Sequence, residues 1–256
     1  MEKSRVYEVF YNQMAADYSC TLDEIKSFEN LVKVNEFRPK RRLYKEENYI
    51  AKLVSLNGKF VLCVDEKIYD EAKELISVPG EWMSLGQSLD KLNQITSKYG
   101  YMAMDQHHYY LPVGVNAISD DQLSLMMKEF KITWYERDEL EQFRGDSRFT
   151  SALTFCENAP DMLAVTAEKD GQILGMSGAS ADSETMWQIG INVMKEARGM
   201  NIGPLLTILI KNEILKRGKL CFYGTAESHI QSQRVAIKSG FFPSWWEAYS
   251  YKKKSE

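Results

Sequence analysis

The residues with the most chemical content lie in one segment, EARGMNIGPLLTILIKNEIL, residues 196–215. Arg198, Gly199 and Gly203 surround a tight turn, and Pro204 stands where a helix opens, a place at which its missing N–H costs nothing. Such a turn leaves several main-chain N–H groups unpaired and aimed one way, at the positive end of a helix dipole. That arrangement binds phosphate. Two glycines alone serve as readily to shorten a strand-to-helix connection, so the flanking elements have to decide. Two commoner phosphate loops fail on spacing: no lysine follows the last glycine as in G-x-x-x-x-G-K-[ST], and no G-x-G-x-x-G follows a first strand.

Other chemistry-bearing residues read more plainly. His107–His108–Tyr109–Tyr110 resembles a ligand cluster, yet adjacent residues on a strand face opposite ways, so the two imidazoles do not converge. The only other histidine is His229, and Cys20, Cys63, Cys156 and Cys221 are scattered without a C-x-x-C, so no metal is expected. Trp245 and Trp246 suit the core and rim of a final strand better than a ligand cage, and Met126 with Met127 suits core packing.

The elements that would position the loop follow from periodicity. Tyr7 to Phe37, with Phe28, Leu31, Val32 and Val34, reads as a helical start. AKLVSLNGKFVLCVD, residues 51–65, is a hairpin turning at Asn57–Gly58. Ile68 to Ile76 and Ser88 to Tyr99 read as helices on either side of a break at Pro79–Gly80. LPVGVNAIS, residues 111–119, reads as a boundary, with Ser119 capping a new helix. Beyond it come helical residues 122–130 and 136–143, then a second hairpin turning at Asp170–Gly171. The strand MWQIGINV (186–193), a helix from Gly203 to Arg217, the strand KLCFYGTA, a short helix ending at Ser239–Gly240 and an aromatic strand to Tyr251 complete the chain. The expected division is an N-terminal α/β domain of unassigned role at residues 1–118 and a second domain at 119–256.

Composition excludes several classes. The 256 residues carry a formal charge of -4, with 44% hydrophobic and 27% charged residues, which describes a folded globular chain without the basic surplus nucleic acid requires. The basic runs Arg38, Pro39, Lys40, Arg41, Arg42 and Lys252, Lys253, Lys254 read as solvated surface. The absence of a secretory-type apolar opening and of any run of ~18 apolar residues points to a cytoplasmic protein without a membrane partner.

The order hairpin, strand, R-G-x-x-I-G loop, helix, strand, short helix and G-F resembles the GCN5-related N-acetyltransferase family over roughly residues 120–251. Arg198 and Gly203 fit its [QR]-x-x-G-x-[GA] loop, with Asn201 where glycine is usual. His229, Ser232, Gly240 and Phe241 fit its Asn-x-x-Ser-x7-Gly-Phe element, with His for Asn. WQIGINV, LKRGK, YGTAES and SQRVAIKSGFFPSW resemble the branch of zwittermicin-resistance-type acetyltransferases.

The resemblance implies an α/β (α+β) fold with a mixed, mostly antiparallel sheet flanked by helices. It also implies acetyl-CoA as acyl donor and a small-molecule primary amine as acceptor; antibiotic resistance and a homodimer are compatible with it. Main-chain groups of Ile191, Asn192 and Val193 would hold the pantetheine arm. Amides of Arg198, Gly199, Met200, Asn201, Ile202 and Gly203 would hold the pyrophosphate, and His229 and Ser232 would lie beside the departing thiol. The family's tyrosine acid, four residues after Ser232, is replaced here by Ala236. Asp182, Glu184 and Glu227 stand as bases, Asn192 as a group orienting the amine, and Ser228, Ser232 or Tyr223 as partners of the thiolate. The alternative is a non-catalytic acyl-CoA-binding regulatory module.

Overall fold

The computed structural model describes residues 1–43 and 49–252. These fall into two compact units. The first comprises residues 1–9, 43 and 110–243, the second residues 10–42, 49–109 and 244–252, so neither is a single stretch of sequence. Helix α1 (Lys3–Asp17) opens the chain.

In the second unit, α2 (Leu22–Lys26) starts with a Thr21–Glu24 capping box. The helix expected to run on to Phe37 stops there: Ser27 is extended, and Leu31–Val34 forms β1, paired in parallel with Val61–Val64. The apolar residues read as one helix face are a β-branched run too short for two turns. Asn30 fixes its start, donating to the Ile76 and Val78 carbonyls and accepting from the Phe60 amide.

The expected hairpin is present as β2 (Ala51–Leu56) and β3 (Lys59–Val64). Asn57 and Gly58 hold φ of 52° and 76°, the left-handed pair that a two-residue turn matching strand twist needs. Short helix α3 (Tyr69–Lys73), α4 (Gly86–Ser97) and β4 (Tyr101–Leu111) follow. The strands of this unit lie in the order β1, β3, β2, β10, β4, where β10 is Phe242–Lys252.

Trp246 packs into the core with Leu53 and Phe60, and Trp245 stacks on Tyr109 at 5.0 Å, so both indoles are buried. The basic run at 38–42 meets the expected solvated surface at Lys40 and departs from it at its end. Arg41 and Arg42 are buried, and the Arg42 guanidinium is held between Asp17 (2.5 Å) and Glu247. Of the tail lysines, Lys252 is exposed, and Lys253 and Lys254 lie outside the described residues.

In the first unit, Ser119 forms the expected cap, boxed with Gln122, for α5 (Asp120–Glu129). Met126 packs against the core while Met127 is 40% exposed. KITWYE then forms a strand the periodicity did not reveal, β5 (Lys131–Glu136), and the helix read at 136–143 is a 3-10 segment. β6 (Asp161–Lys169) and β7 (Gln172–Ala181) make the second hairpin, with Asp170 and Gly171 again left-handed. β8 (Met186–Val193), α6 (Ile202–Lys216), β9 (Leu220–Ala226) and α7 (Ile230–Lys238) complete it.

Strand order is β9, β8, β7, β6, β5, antiparallel throughout except for the parallel β8–β9 pair. The fold is thus mixed α/β, with mostly antiparallel strands flanked by helices. One face carries α6, whose Ile202, Leu205, Leu206 and Ile210 join Leu163, Val165 and Ile189. The other carries Phe143, Phe149, Ala152 and Leu153 against Ala164 and Met176.

Helices α6 and α7 are tied by one buried cation. The Lys211 ammonium donates to the Ser239 carbonyl at the end of α7 and to Asn116 Oδ1, each at 2.6 Å. Burial holds this amine below its ordinary 10.5. A folded-state pKa below the unfolded one contributes stability that is present above about pH 10.5 and lost as pH falls through the folded value. Lys211→Met leaves the buried Ser239 carbonyl and the half-buried Asn116 Oδ1 without this donor and is expected to cost about 1–3 kcal/mol in urea unfolding. The gap between wild type and variant should widen as pH rises from 7 toward 10. A gap that narrows over that range would contradict this assignment.

Candidate functional site

The site begins where two strands part. Parallel pairing of β8 with β9 runs from Met186↔Leu220 to Ile189↔Tyr223 and ends there. β8 continues to Val193, still held on its other edge by β7 as far as Gly175↔Val193. β9 instead runs on to Ala226 and turns into α7 through the His229 amide and Ala226 carbonyl. From Gly190 to Val193 the edge of β8 facing β9 therefore carries main-chain groups outside any ladder, and a free strand edge is a template for an extended ligand.

At the open end of this wedge, a 3-10 turn (Lys195–Ala197) leads into the Arg198–Gly203 loop. Gly199 has φ of 88° and Asn201 is left-handed (φ 58°, ψ 18°), which turns the chain sharply enough to start α6 at Ile202. Asparagine stands this conformation better than other side-chain-bearing residues, so Asn201 holds the turn without strain. Among the described residues, the amides of Gly199, Asn201, Ile202 and Gly203 have no acceptor, whereas Met200 donates to the Ala197 carbonyl at 3.4 Å. These free donors sit at the positive end of a 15-residue helix. Gly203 also lets α6 approach α7: a Cβ there would stand 3.2 Å from Val235 Cγ2 and 3.6 Å from Val193 Cγ2.

A cleft of about 470 Å³ occupies the wedge. Its walls are Ile191, Asn192 and Val193 of β8, Ala197, Arg198, Gly199, Asn201, Ile202, Gly203 and Pro204 of the loop and helix start, Tyr223 of β9, Ser151, and the His229–Lys238 face of α7. Three cations border it, Arg198, Arg234 and Lys238. None has a carboxylate partner among the described residues; Lys238 reaches only Asn201 Oδ1, at 3.4 Å. Arg217, by contrast, is paired with Glu136 and Glu213. Cations left without anions beside free amides suit a polyanionic ligand.

At the closed end, the Tyr223 hydroxyl lies 3.0 Å from Ser232 Oγ. Burial pushes the Tyr223 phenol up to about 12, against a smaller lowering by Ser232. Tyr110 meets the Tyr223 ring edge-on at 6.5 Å, and burial raises its phenol too. Tyr223 is thus a neutral donor at ordinary pH.

Of the residues read from the sequence, Ile191, Asn192, Val193, Arg198, Gly199, Asn201, Ile202, Gly203, His229 and Ser232 all line this one cleft, and Met200 does not, its side chain being 41% exposed. Glu184, at the far end of β8, and Glu227, in the turn before α7, are exposed and outside the lining. Asp182 is outside it as well and accepts from Ser180 Oγ at 2.7 Å. Asn192 Oδ1 is occupied by two main-chain donors, the amides of Ser151 (2.9 Å) and Ala152 (2.7 Å). Sequence reading missed Arg234, Lys238 and Ser151. The first two carried a signal, an i, i+4 pair of cations on one helix face; Ser151 carried none.

No family model and no curated protein matches the sequence. Solved structures similar to it include a GCN5-related N-acetyltransferase-like protein from Streptococcus suis, 16% identical over 65% of this chain and 69% of that one, with a TM-score of 0.45. A GCN5-related N-acetyltransferase from Kribbella flavida is 12% identical over 64% of each chain, with a TM-score of 0.42. A structure from Salmonella typhimurium holding its cofactor acetyl-CoA is 11% identical over 50% of this chain and 96% of that one, with a TM-score of 0.36. Identities and scores of this size leave any functional conclusion to rest on the residues of the cleft.

The left-handed geometry at Asn201 makes a direct test of the loop. Asn201→Gly should leave stability unchanged or slightly raised, while Asn201→Val, which forces a β-branched residue into that conformation, should cost about 1–2 kcal/mol. Chemical denaturation of the two variants checks this, and equal stabilities would refute the loop geometry.

Proposed function

We propose that the chain is an acetyl-CoA-dependent N-acetyltransferase that passes an acetyl group to a primary amine of a small molecule by direct attack. The observation that carries the reading is the end of β8–β9 pairing at Ile189↔Tyr223, with amides that have no acceptor and cations that have no carboxylate partner among the described residues at the open end of the resulting wedge. The amides of Gly199 and Asn201–Gly203, with Arg198, Arg234 and Lys238, take the phosphates. The pantetheine arm extends along the free edge of β8 and brings the thioester toward Gly190 and Tyr223. The acceptor class is carried over from the family resemblance. Four free cysteines accord with a cytosolic setting.

In the transfer the amine nitrogen forms a bond to the acyl carbon, the carbon–sulfur bond breaks, and the proton lost by the nitrogen ends on the thiol. A main-chain N–H on the β8 edge polarises the carbonyl as the tetrahedral oxyanion forms. Ala236, where the family carries its tyrosine acid, is fully buried, so that position supplies no hydroxyl to the cleft. Tyr223 and Ser232 supply it instead from the closed end. They share one hydrogen bond, which leaves the second hydroxyl proton free to donate to the departing sulfur. With its phenol near 12, Tyr223 stabilises the thiolate by hydrogen bonding; net proton transfer to a sulfur of ordinary acidity would run uphill.

Calorimetry should show acetyl-CoA bound by the wild type and bound at least tenfold more weakly by the Arg198→Ala, Arg234→Ala double variant, since each charged contact contributes roughly 1.5–3 kcal/mol. Thiol release across a panel of amines should fall about 100-fold in kcat for Tyr223→Phe, with the KM for acetyl-CoA unchanged. Wild-type protein that binds acetyl-CoA and releases no thiol with any amine would favour the non-catalytic module. Wild-type protein that does not bind acetyl-CoA would end the proposal.

A further inference from the structure

One contact between distant parts of the first unit decides how the closed end of the cleft is walled. Gly178 of β7 and Gly190 of β8 are register partners. Neither has room for a side chain: a Cβ on Gly178 would stand 2.0 Å from the Ala152 carbonyl oxygen, and one on Gly190 1.9 Å from that of Ser151. The main chain of Ser151 and Ala152 therefore lies directly on the sheet, on the face opposite α6. Asn192, two residues beyond Gly190 and so on the same face, pins it there by accepting both amides with one oxygen, at 2.9 and 2.7 Å. Gly190 is the first residue of β8 past its last pair with β9, so the pinned strap sits on β8 where the strands part. Ser151 lines the cleft and is exposed.

The phosphate-binding groups stand at the other end of the wedge, at residues 198–203. An acyl-CoA laid along β8 with its phosphates there carries its acyl group to Gly190, against the strap. We propose that Asn192 is a positioning residue that limits acyl-chain size: by fixing Ser151 and Ala152 on the Gly178–Gly190 pair, it closes the inner end of the cleft to acyl groups much longer than acetyl. The inference rests on the acyl-transfer reading and adds to it which donors the site accepts.

The test compares the affinities of acetyl-CoA and hexanoyl-CoA by calorimetry, which needs no acceptor, together with hydrogen exchange at the Ser151 and Ala152 amides. Wild type should prefer acetyl-CoA. Asn192→Ala should expose the two amides to exchange and shift the affinity ratio toward hexanoyl-CoA at least tenfold. Asn192→Asp, whose carboxylate oxygen accepts the same two donors, should restore both protection and preference. A purely structural role would weaken both ligands alike. Should Asn192→Ala not fold, Ser151→Leu adds bulk to the strap from an exposed side chain and should tighten the preference for acetyl-CoA over butyryl-CoA. An unchanged ratio in Asn192→Ala despite lost protection, an unchanged ratio in Ser151→Leu, or wild-type protein that binds hexanoyl-CoA as tightly as acetyl-CoA overturns this inference alone. Absence of binding to any acyl-CoA overturns it together with the proposed function.

Discussion

Strand β8 is hydrogen-bonded on both edges only as far as Ile189, and the site follows from that. On one side β7 holds it to its last residue; on the other β9 leaves after Tyr223 because its chain must turn into α7. A strand held on one edge and released on the other keeps its shape while offering ladder groups to something else. Inside a folded chain an unfilled edge of this kind is costly unless water or a ligand satisfies it. The split also fixes the direction of any ligand, because the groups suited to anions lie only where the wedge is widest.

What could be read from the sequence were features in which neighbours in the chain are neighbours in space. Asn57–Gly58 and Asp170–Gly171 define their hairpins within two residues, and both turns hold the left-handed angles those pairs favour. The 198–203 loop was visible for the same reason, as a local motif followed by a helix. Leu31–Val34 misled because three apolar residues in four fit a helix face or a strand equally well, and the choice was made by β3, 30 residues away in register. β5 was hidden likewise, since its pattern is exposed or half-buried and its pairing with β6 gives it its form. The contact of Asn192 with Ser151, 41 residues apart, leaves no trace in either neighbourhood. That is why Asn192 read as a group for the amine, when its oxygen is engaged by main chain.

Two positions that differ from the pattern the sequence resembles can be followed in the structure. Asn201 replaces a glycine and still adopts the left-handed angles that glycine would supply. Where that pattern carries a tyrosine, α7 has the buried Ala236, and Tyr223, the last paired residue of β9, brings a hydroxyl to the cleft 3.0 Å from Ser232 Oγ. On the proposed acyl-transfer reading, Tyr223 takes from the strand the donor role that the pattern gives to the helix.

The distribution of charge along the wedge completes the picture. At the mouth stand Arg198, Arg234 and Lys238, and no carboxylate lines the cleft among the described residues. At the closed end the donors are neutral: a buried phenol, a serine hydroxyl and strand amides. A phosphate is already charged before binding, so solvent-facing cations serve it and need little pre-organisation. A thioester carbonyl is neutral in the ground state and gains charge only as the amine attacks. A formal cation buried beside it would carry a desolvation cost throughout the cycle, whereas fixed dipoles act most strongly when the charge appears. On the proposed acyl-transfer reading, cations at the mouth and dipoles at the vertex separate binding from activation along a single strand.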